Sequence, residues 1–292
     1  MLKRVLALGF VLAVAAPLAA VPSRGHLLLI GGGERPPEVM REFVRLAGGP
    51  TAPIVLIPTA SEDPTAGPER EAEFREQWGC SDVTVLEVRS CADASRPDYV
   101  AAAERARGIY FLGGDQTRIV NAFAGSPLLA AIERAFAGGA TLGGTSAGTA
   151  CMSSLMITGE GNFDVITTNN VELWPGLGFF SGVIVDQHFV ARRRQNRLLS
   201  VILEHPDLVG VGVDEETAVW VRPDGSFEVL GRGTVTVIDA AGAAVVRAPG
   251  ADGHDVLGGH GLRVELLTAG DGYDVASRTV VPGWRERPVQ RR

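Results

Sequence analysis

Residues 109–148 read IYFLGGDQTRIVNAFAGSPLLAAIERAFAGGATLGGTSAG, and the change of period within this stretch decides the fold. Residues 109–112 are a short apolar run closed by Gly113-Gly114-Asp115, the signature of a buried strand that stops abruptly. Residues 117–123 and 128–136 then place apolar side chains at helical spacing, and residues 141–143 return to a short strand before Gly144-Thr145-Ser146-Ala147-Gly148. Outward from this stretch the alternation repeats. Residues 26–30, 54–57 and 83–88 read as strands, and residues 36–46 and 99–107 as helices. Apolar strands alternating with helices predict an α/β fold: a mostly parallel sheet sandwiched by helices. Ligands in such sheets bind beyond the carboxyl ends of the strands. Those ends are where Gly31-Gly32-Gly33, Gly113-Gly114 and Gly143-Gly144 gather.

The character changes near residue 217. Residues 218–221, 227–230, 234–238, 244–246 and 262–267 are β-rich and separated by Gly, Asp and Pro turns, with no helical period between them. The expected organisation is therefore a catalytic α/β domain over 21–216 and a β-rich C-terminal extension over 217–292 packed on the same domain. Residues 1–20 carry Lys3-Arg4, an apolar run over 5–16 and a small-residue stretch ending at Ala20, the pattern of a signal peptide. The expected location is secreted or periplasmic, with no membrane anchor once the leader is removed. The Arg-rich tail over 285–292 reads as a frayed end.

With 292 residues, 46% of them hydrophobic, the chain can bury a large core, and its formal net charge of −7 with a pI near 5.3 argues against a nucleic-acid partner. The three cysteines form no zinc pattern. Cys80 and Cys91 are close enough in sequence to pair outside the cytoplasm, and Cys151 lies in an apolar stretch expected in the core. The five histidines do not cluster at metal-ligand spacing, so neither a metal nor a cofactor is expected.

A Gly-x-Ser-x-Gly segment between strand and helix is a device for presenting a hydroxyl. The turn is tight, the glycines remove Cβ clashes, and the serine stands at a helix N-terminus. Ser146 is the candidate nucleophile. The N–H of Ala147 is one candidate oxyanion donor, and a second comes from the Gly113-Gly114-Asp115 turn, with Gly114 the choice. A serine hydroxyl needs a base, and His188 sits in Asp186-Gln187-His188-Phe189 where the apolar run 183–185 should end. The imidazole needs an acid. Glu215, after the apolar run 209–213, is the first choice, with Asp214, Glu160 and Asp164 competing. An α/β-hydrolase esterase would order these residues Ser, acid, His, whereas His188 follows Ser146 by 42 residues with about a hundred still to come. A non-catalytic protein keeping the pocket for an arginyl or aspartyl ligand is the rival of a different class.

Four blocks together resemble the cyanophycinase and dipeptidase E group of serine peptidases: Phe111-Leu112-Gly113-Gly114-Asp115-Gln116, Gly144-Thr145-Ser146-Ala147-Gly148, Val185-Asp186-Gln187-His188-Phe189, and Gly212-Val213-Asp214-Glu215-Glu216-Thr217-Ala218. The resemblance spans roughly residues 25–280 and implies a fold similar to class I glutamine amidotransferases. It implies Ser146 as nucleophile, His188 as base and Glu215 as orienting acid. Gln116, Asp186, Gln187, Arg192, Arg194 and Arg197 are implied as a substrate shell. Within the group the closer likeness is to enzymes that cleave cyanophycin, a poly-aspartate backbone with arginine on each β-carboxylate, into β-aspartyl-arginine. Aspartyl or isoaspartyl dipeptides are the alternative substrates, and a homodimer is the assembly left open. The leader departs from an intracellular storage role and implies action outside the cytoplasm.

Overall fold

The computed structural model describes residues 24–161, 164–250 and 253–281; the leader read at 1–20 and the tail at 285–292 lie outside the described residues. Five short strands, β1 (Leu27–Ile30), β2 (Ile54–Ile57), β3 (Val83–Val85), β4 (Gly108–Phe111) and β5 (Thr141–Thr145), pair in parallel in the order β3-β2-β4-β5-β1. Their side chains alternate between two cores. Leu28, Ile30, Leu56 and Tyr110 face one side, and Leu27, Leu29, Ile57 and Phe111 the other.

The first side is covered by α1 (Pro37–Leu46), through Val39, Met40, Phe43 and Val44, and by α2 (Ala66–Glu76), through Phe74. The opposite side is covered by α3 (Pro97–Arg105), α4 (Gln116–Phe123), α5 (Pro127–Ala137) and the single turn α6 (Ala147–Ala150). Local chemistry sets their starts. Asp115 caps α4 by accepting from the Thr117 N–H at 2.8 Å, and Ser126 caps α5 by accepting from the Leu129 N–H at 3.1 Å with Pro127 next in line. The helix α2 escapes the sequence reading because its segment carries no apolar stripe: only Gly67 and Phe74 of it are buried.

Beyond α6 the chain departs from a single sheet. A hairpin of β6 (Leu155–Gly161) and β7 (Val171–Pro175) leads to β8 (Val183–Gln187), α7 (Gln195–Glu204) and β9 (Val209–Val213). β8 and β9 pair in parallel in a second sheet and pack Val183, Val185, Val209, Val211 and Val213 face-on into the core beneath the first. α7 covers the outer side of this second sheet with Leu198, Val201 and Ile202.

The C-terminal region is β-rich, and its strands join both sheets. β10 (Thr217–Val221) runs antiparallel beside β1 and is followed outward by β11 (Ser226–Gly231), while β12 (Thr234–Asp239) returns antiparallel to β9. A two-stranded unit of β13 (Ala244–Pro249) and β14 (Asp255–His260) follows, with His260 at the end of its second strand. β15 (Arg263–Thr268) completes the second sheet, and β16 (Gly272–Asp274) with β17 (Thr279–Val281) extends the first to nine strands. Asp239, at the end of β12, is buried between Arg278 at 2.5 Å and Arg263.

The Cys80–Cys91 pairing does not form, and the sheet itself is the reason. Cys80 is buried in the core on the α1 and α2 side, whereas Cys91 is exposed and its Sγ lies 3.2 Å from the Asn121 carbonyl of α4 on the other face. Cys151 is buried beneath α6 as expected for a core thiol, and burial pushes its pKa far up.

Candidate active site

Ser146 follows β5, which lies between β4 and β1 in the parallel part of the sheet, and holds the left-handed backbone angle φ 53° with ψ −113°. A non-glycine residue in so sparsely populated a region costs of order 1–3 kcal/mol and persists only where its surroundings fix it. Here the Ser146 N–H donates to the Ile30 carbonyl at 3.0 Å, and the Ser146 carbonyl accepts from the N–H groups of Thr149 and Ala150 at 2.9 and 3.0 Å. The Thr149 hydroxyl donates to the carbonyls of Ile30 and Gly144 at 2.7 and 2.9 Å. Both motif glycines are sterically required. A Cβ on Gly144 would lie 2.2 Å from the Gly148 carbonyl oxygen, and one on Gly148 would lie 2.2 Å from that of Phe111.

His188 and Glu215 come from the second sheet. The register that pairs Gln187 with Val213 ends β8 and β9 at the same level, so the residues just beyond them emerge side by side. His188 Nδ1 lies 2.5 Å from Glu215 Oε1, and its Nε2 lies 2.8 Å from Ser146 Oγ. The network fixes the tautomer: Nδ1–H donates to the carboxylate, and Nε2 is left to accept from the serine hydroxyl. Burial of His188 lowers its pKa. The hydrogen bond to Glu215 works against that, and the charges of Arg192 and Arg194 add to it. The imidazole is therefore held in the neutral form that can accept a proton.

Glu215 occupies Nδ1, the position for which Asp214, Glu160 and Asp164 were the competing acids. Asp214 is engaged elsewhere. Its Oδ1 accepts from the N–H groups of Val190 and Ala191 at 3.1 and 3.0 Å, closing the turn after His188.

The Gly31-Gly32-Gly33 turn, noted in the sequence only as a strand end, joins the two sheets beneath these three residues. The Gly31 carbonyl accepts from the His188 N–H at 2.8 Å, the Gly32 carbonyl from the Glu216 N–H at 3.0 Å, and the Gly31 N–H donates to the Thr217 carbonyl at 2.9 Å. Gly32 lies against the imidazole itself, with φ 122° and no room for a Cβ: that atom would come 2.1 Å from His188 Cε1. The signal available in the sequence was the glycine run at a strand end, but its partners are about 155 to 185 residues away in the chain.

The two oxyanion turns meet at the serine. A Cβ on Gly113 would sit 3.3 Å from Ser146 Cβ, whereas Gly114, with φ 140°, turns toward the Ala60 carbonyl. Among the described residues no acceptor takes the N–H of Gly113, Gly114 or Ala147. Unengaged N–H groups beside a nucleophile can receive a developing negative oxygen.

The residues read as a substrate shell divide into two kinds. Arg192 is exposed beside His188, and Arg194 is half-buried. Arg194 Nη1 donates to the Gln187 carbonyl at 2.7 Å and also holds the Gln187 side-chain oxygen; burial, then the charge of Arg197, lowers its pKa to about 10. Asp186 and Arg197 are each 1% exposed and face one another, with Arg197 Nε 2.7 Å from Asp186 Oδ2. This corrects their place in the shell, because a carboxylate and a guanidinium buried on each other brace β8 against α7 and do not present themselves to a ligand. Gln116 is likewise turned inward: its Nε2 donates to the carbonyls of Ile157 and Thr158 at 2.7 and 2.6 Å, tying α4 to β6.

Residues 27–229 match peptidase family S51. The chain is 36% identical over 260 residues to a cyanophycinase of Nostoc sp., covering 88% of this chain and 87% of the relative. It is 38% identical over 255 residues to a cyanophycinase of Geminocystis herdmanii, covering 86% and 94%. Among solved structures, a peptidase from an acI-B1 actinobacterium superposes with a TM-score of 0.65 at 24% identity, over 87% of this chain and 98% of that one. The structural likeness supports the mixed α/β fold.

Proposed function

The chain belongs to peptidase family S51 and is a serine peptidase, and from that premise we propose that it hydrolyses cyanophycin, releasing β-aspartyl-arginine through an acyl-enzyme at Ser146. The observation that carries the reading is the unbroken series Glu215 Oε1, His188 Nδ1, His188 Nε2 and Ser146 Oγ, at 2.5 and 2.8 Å. In the proposed reaction His188 Nε2 takes the Ser146 proton as Oγ bonds to an aspartyl α-carbonyl. The resulting oxyanion lies toward the N–H groups of Ala147 and the Gly113-Gly114 turn, with Gly114 the assigned donor. The imidazolium returns its proton to the departing amine, and the C–N bond breaks. Water, deprotonated by the same nitrogen, then releases the acyl group and restores the serine.

Arg192 and Arg194 are the cations of this rim and the proposed contacts for free carboxylates of an aspartyl backbone, with Gln187 positioned by Arg194. The five parallel strands with Ser146 at the end of the fourth in sheet order support the reading of a class I glutamine amidotransferase type of fold. The leader at 1–20 supports action outside the cytoplasm, tested by sequencing the N-terminus of the protein recovered from culture fluid or periplasm.

Incubating the protein with cyanophycin and weighing the products, beside a Ser146→Ala control, tests the activity. A β-aspartyl-arginine mass that is lost in the control is the expected result. Intact polymer with the wild-type protein would refute the substrate.

A further inference from the structure

On the α1 and α2 side of the first sheet, away from the face that carries α6, two arginines share one carboxylate. Arg35 Nη2 lies 3.2 Å from Glu73 Oε2, and Arg70 holds the same oxygen through Nη1. The other nearby acid, Glu69, accepts from the Thr65 hydroxyl at 3.0 Å. The fork of Arg70 formed by Nε and Nη2 makes no hydrogen bond among the described residues, and its Nε is fully buried. Beside it stands Tyr110 of β4, with 0% of its surface exposed; its hydroxyl faces Thr145 yet has no partner in hydrogen-bond geometry. Donors thus outnumber acceptors around Glu73.

We infer that the Nε and Nη2 edge of Arg70, together with the Tyr110 hydroxyl, forms a binding site for a carboxylate group, entered past Arg35. The side-on fork of a guanidinium matches the two oxygens of a carboxylate, and a phenol adds a third donor to one of them. Burial and then the neighbouring Arg35 lower the Arg70 pKa to about 10, against the opposing pull of Glu69. The side chains of Arg35, Arg70 and Glu73 keep 22%, 16% and 16% of their surface, so the site is recessed without being sealed. A buried donor without an acceptor is costly, and a bound carboxylate would satisfy the two buried ones, Arg70 Nε and the Tyr110 hydroxyl, together.

The test is thermal unfolding of the full chain in sodium acetate against sodium chloride at matched ionic strength. Ligand binding to the folded state raises Tm with concentration. The wild type should gain Tm in acetate beyond the gain in chloride, Arg70→Gln should lose that difference, and Tyr110→Phe should reduce it. Tyr110→Phe also checks the premise, because removing an unsatisfied buried hydroxyl should leave the Tm in chloride unchanged or raised. Peptidase kinetics separate the sources of the carboxylate. If it belongs to the substrate, acetate raises KM in the wild type and Arg70→Gln raises KM about tenfold with kcat preserved. If the site takes a free carboxylate, Tm responds and KM does not. Equal responses to acetate and chloride, or an acetate response undiminished in Arg70→Gln, would overturn the assignment, whatever the outcome with cyanophycin.

Discussion

Replacing Gly32 by alanine should disable the peptidase without unfolding it. The added Cβ would stand 2.1 Å from His188 Cε1, 2.4 Å from Nε2 and 2.6 Å from Nδ1. Carbon atoms pack at about 3.5 Å or more, so the ring must retreat by roughly 1.4 Å. Its Nε2 now lies 2.8 Å from Ser146 Oγ, and a retreat of that size carries it toward roughly 4 Å, outside proton-transfer reach. A displacement near 1 Å costs about a hundredfold in rate, which sets the smallest loss expected. The full loss of a base, of order a million-fold, sets the largest.

Backbone strain contributes separately. Alanine at φ 122° costs about 1–2 kcal/mol of stability, and the same burden can be imposed elsewhere without touching the imidazole. Gly49 has φ 96° and nothing within 4 Å of its missing Cβ. Gly49→Ala should therefore lose similar stability in urea while keeping its activity. Initial rates on cyanophycin report the chemistry, and the downfield proton resonance of His188 Nδ1–H reports the ring position. If Gly32→Ala kept kcat/KM within about fivefold of Gly49→Ala, the ring would not depend on this glycine and the reasoning would fail.

Three further outcomes are expected. Glu215→Gln should cut kcat by about ten-thousandfold with KM little changed, because an amide no longer fixes Nδ1–H; a loss below tenfold would remove Glu215 from the orienting role. Arg192→Gln should move the acid limb of the kcat/KM profile to higher pH. The Arg192 charge lowers the His188 pKa, so without it the imidazole protonates sooner as pH falls; a limb moving the other way would contradict this. Asp186→Ala should cost about 3–5 kcal/mol in denaturant titrations, since it strips a guanidinium that is 1% exposed of its carboxylate; a loss under 1 kcal/mol would show that the brace is dispensable.

Much of the first sheet was legible because β1, β2 and β4 are mostly apolar runs of four residues, too short for helices, and β5 leads straight into the glycines of the serine turn. The pairing of β8 and β9 in a separate sheet was not. Residues 183–185 and 209–213 look like any buried parallel strand, and nothing local tells whether such a strand adds to an edge or packs face-on beneath the sheet. That choice depends on contacts with strands far away in sequence. It also decides the site, since a serine from one sheet meets a base and an acid from the other.

The arginines show the same limit at the scale of side chains. Arg192, Arg194 and Arg197 follow His188 at similar spacing and look alike as candidates for a carboxylate ligand. A guanidinium's role depends on which acceptor reaches it first, and for Arg197 that acceptor is internal, supplied by Asp186 two residues before the base. Because α7 runs back along β8, each step toward its interior carries an arginine from solvent toward the core. Arg192 is exposed, Arg194 is half-buried on Gln187, and Arg197 is enclosed. Asp186, Gln187 and His188 are consecutive, so whatever fixes the first two also fixes the direction in which the imidazole leaves β8. Arg197 therefore acts on His188 through the backbone of β8, Arg194 through that backbone and through its charge, and Arg192 through charge from the solvent side.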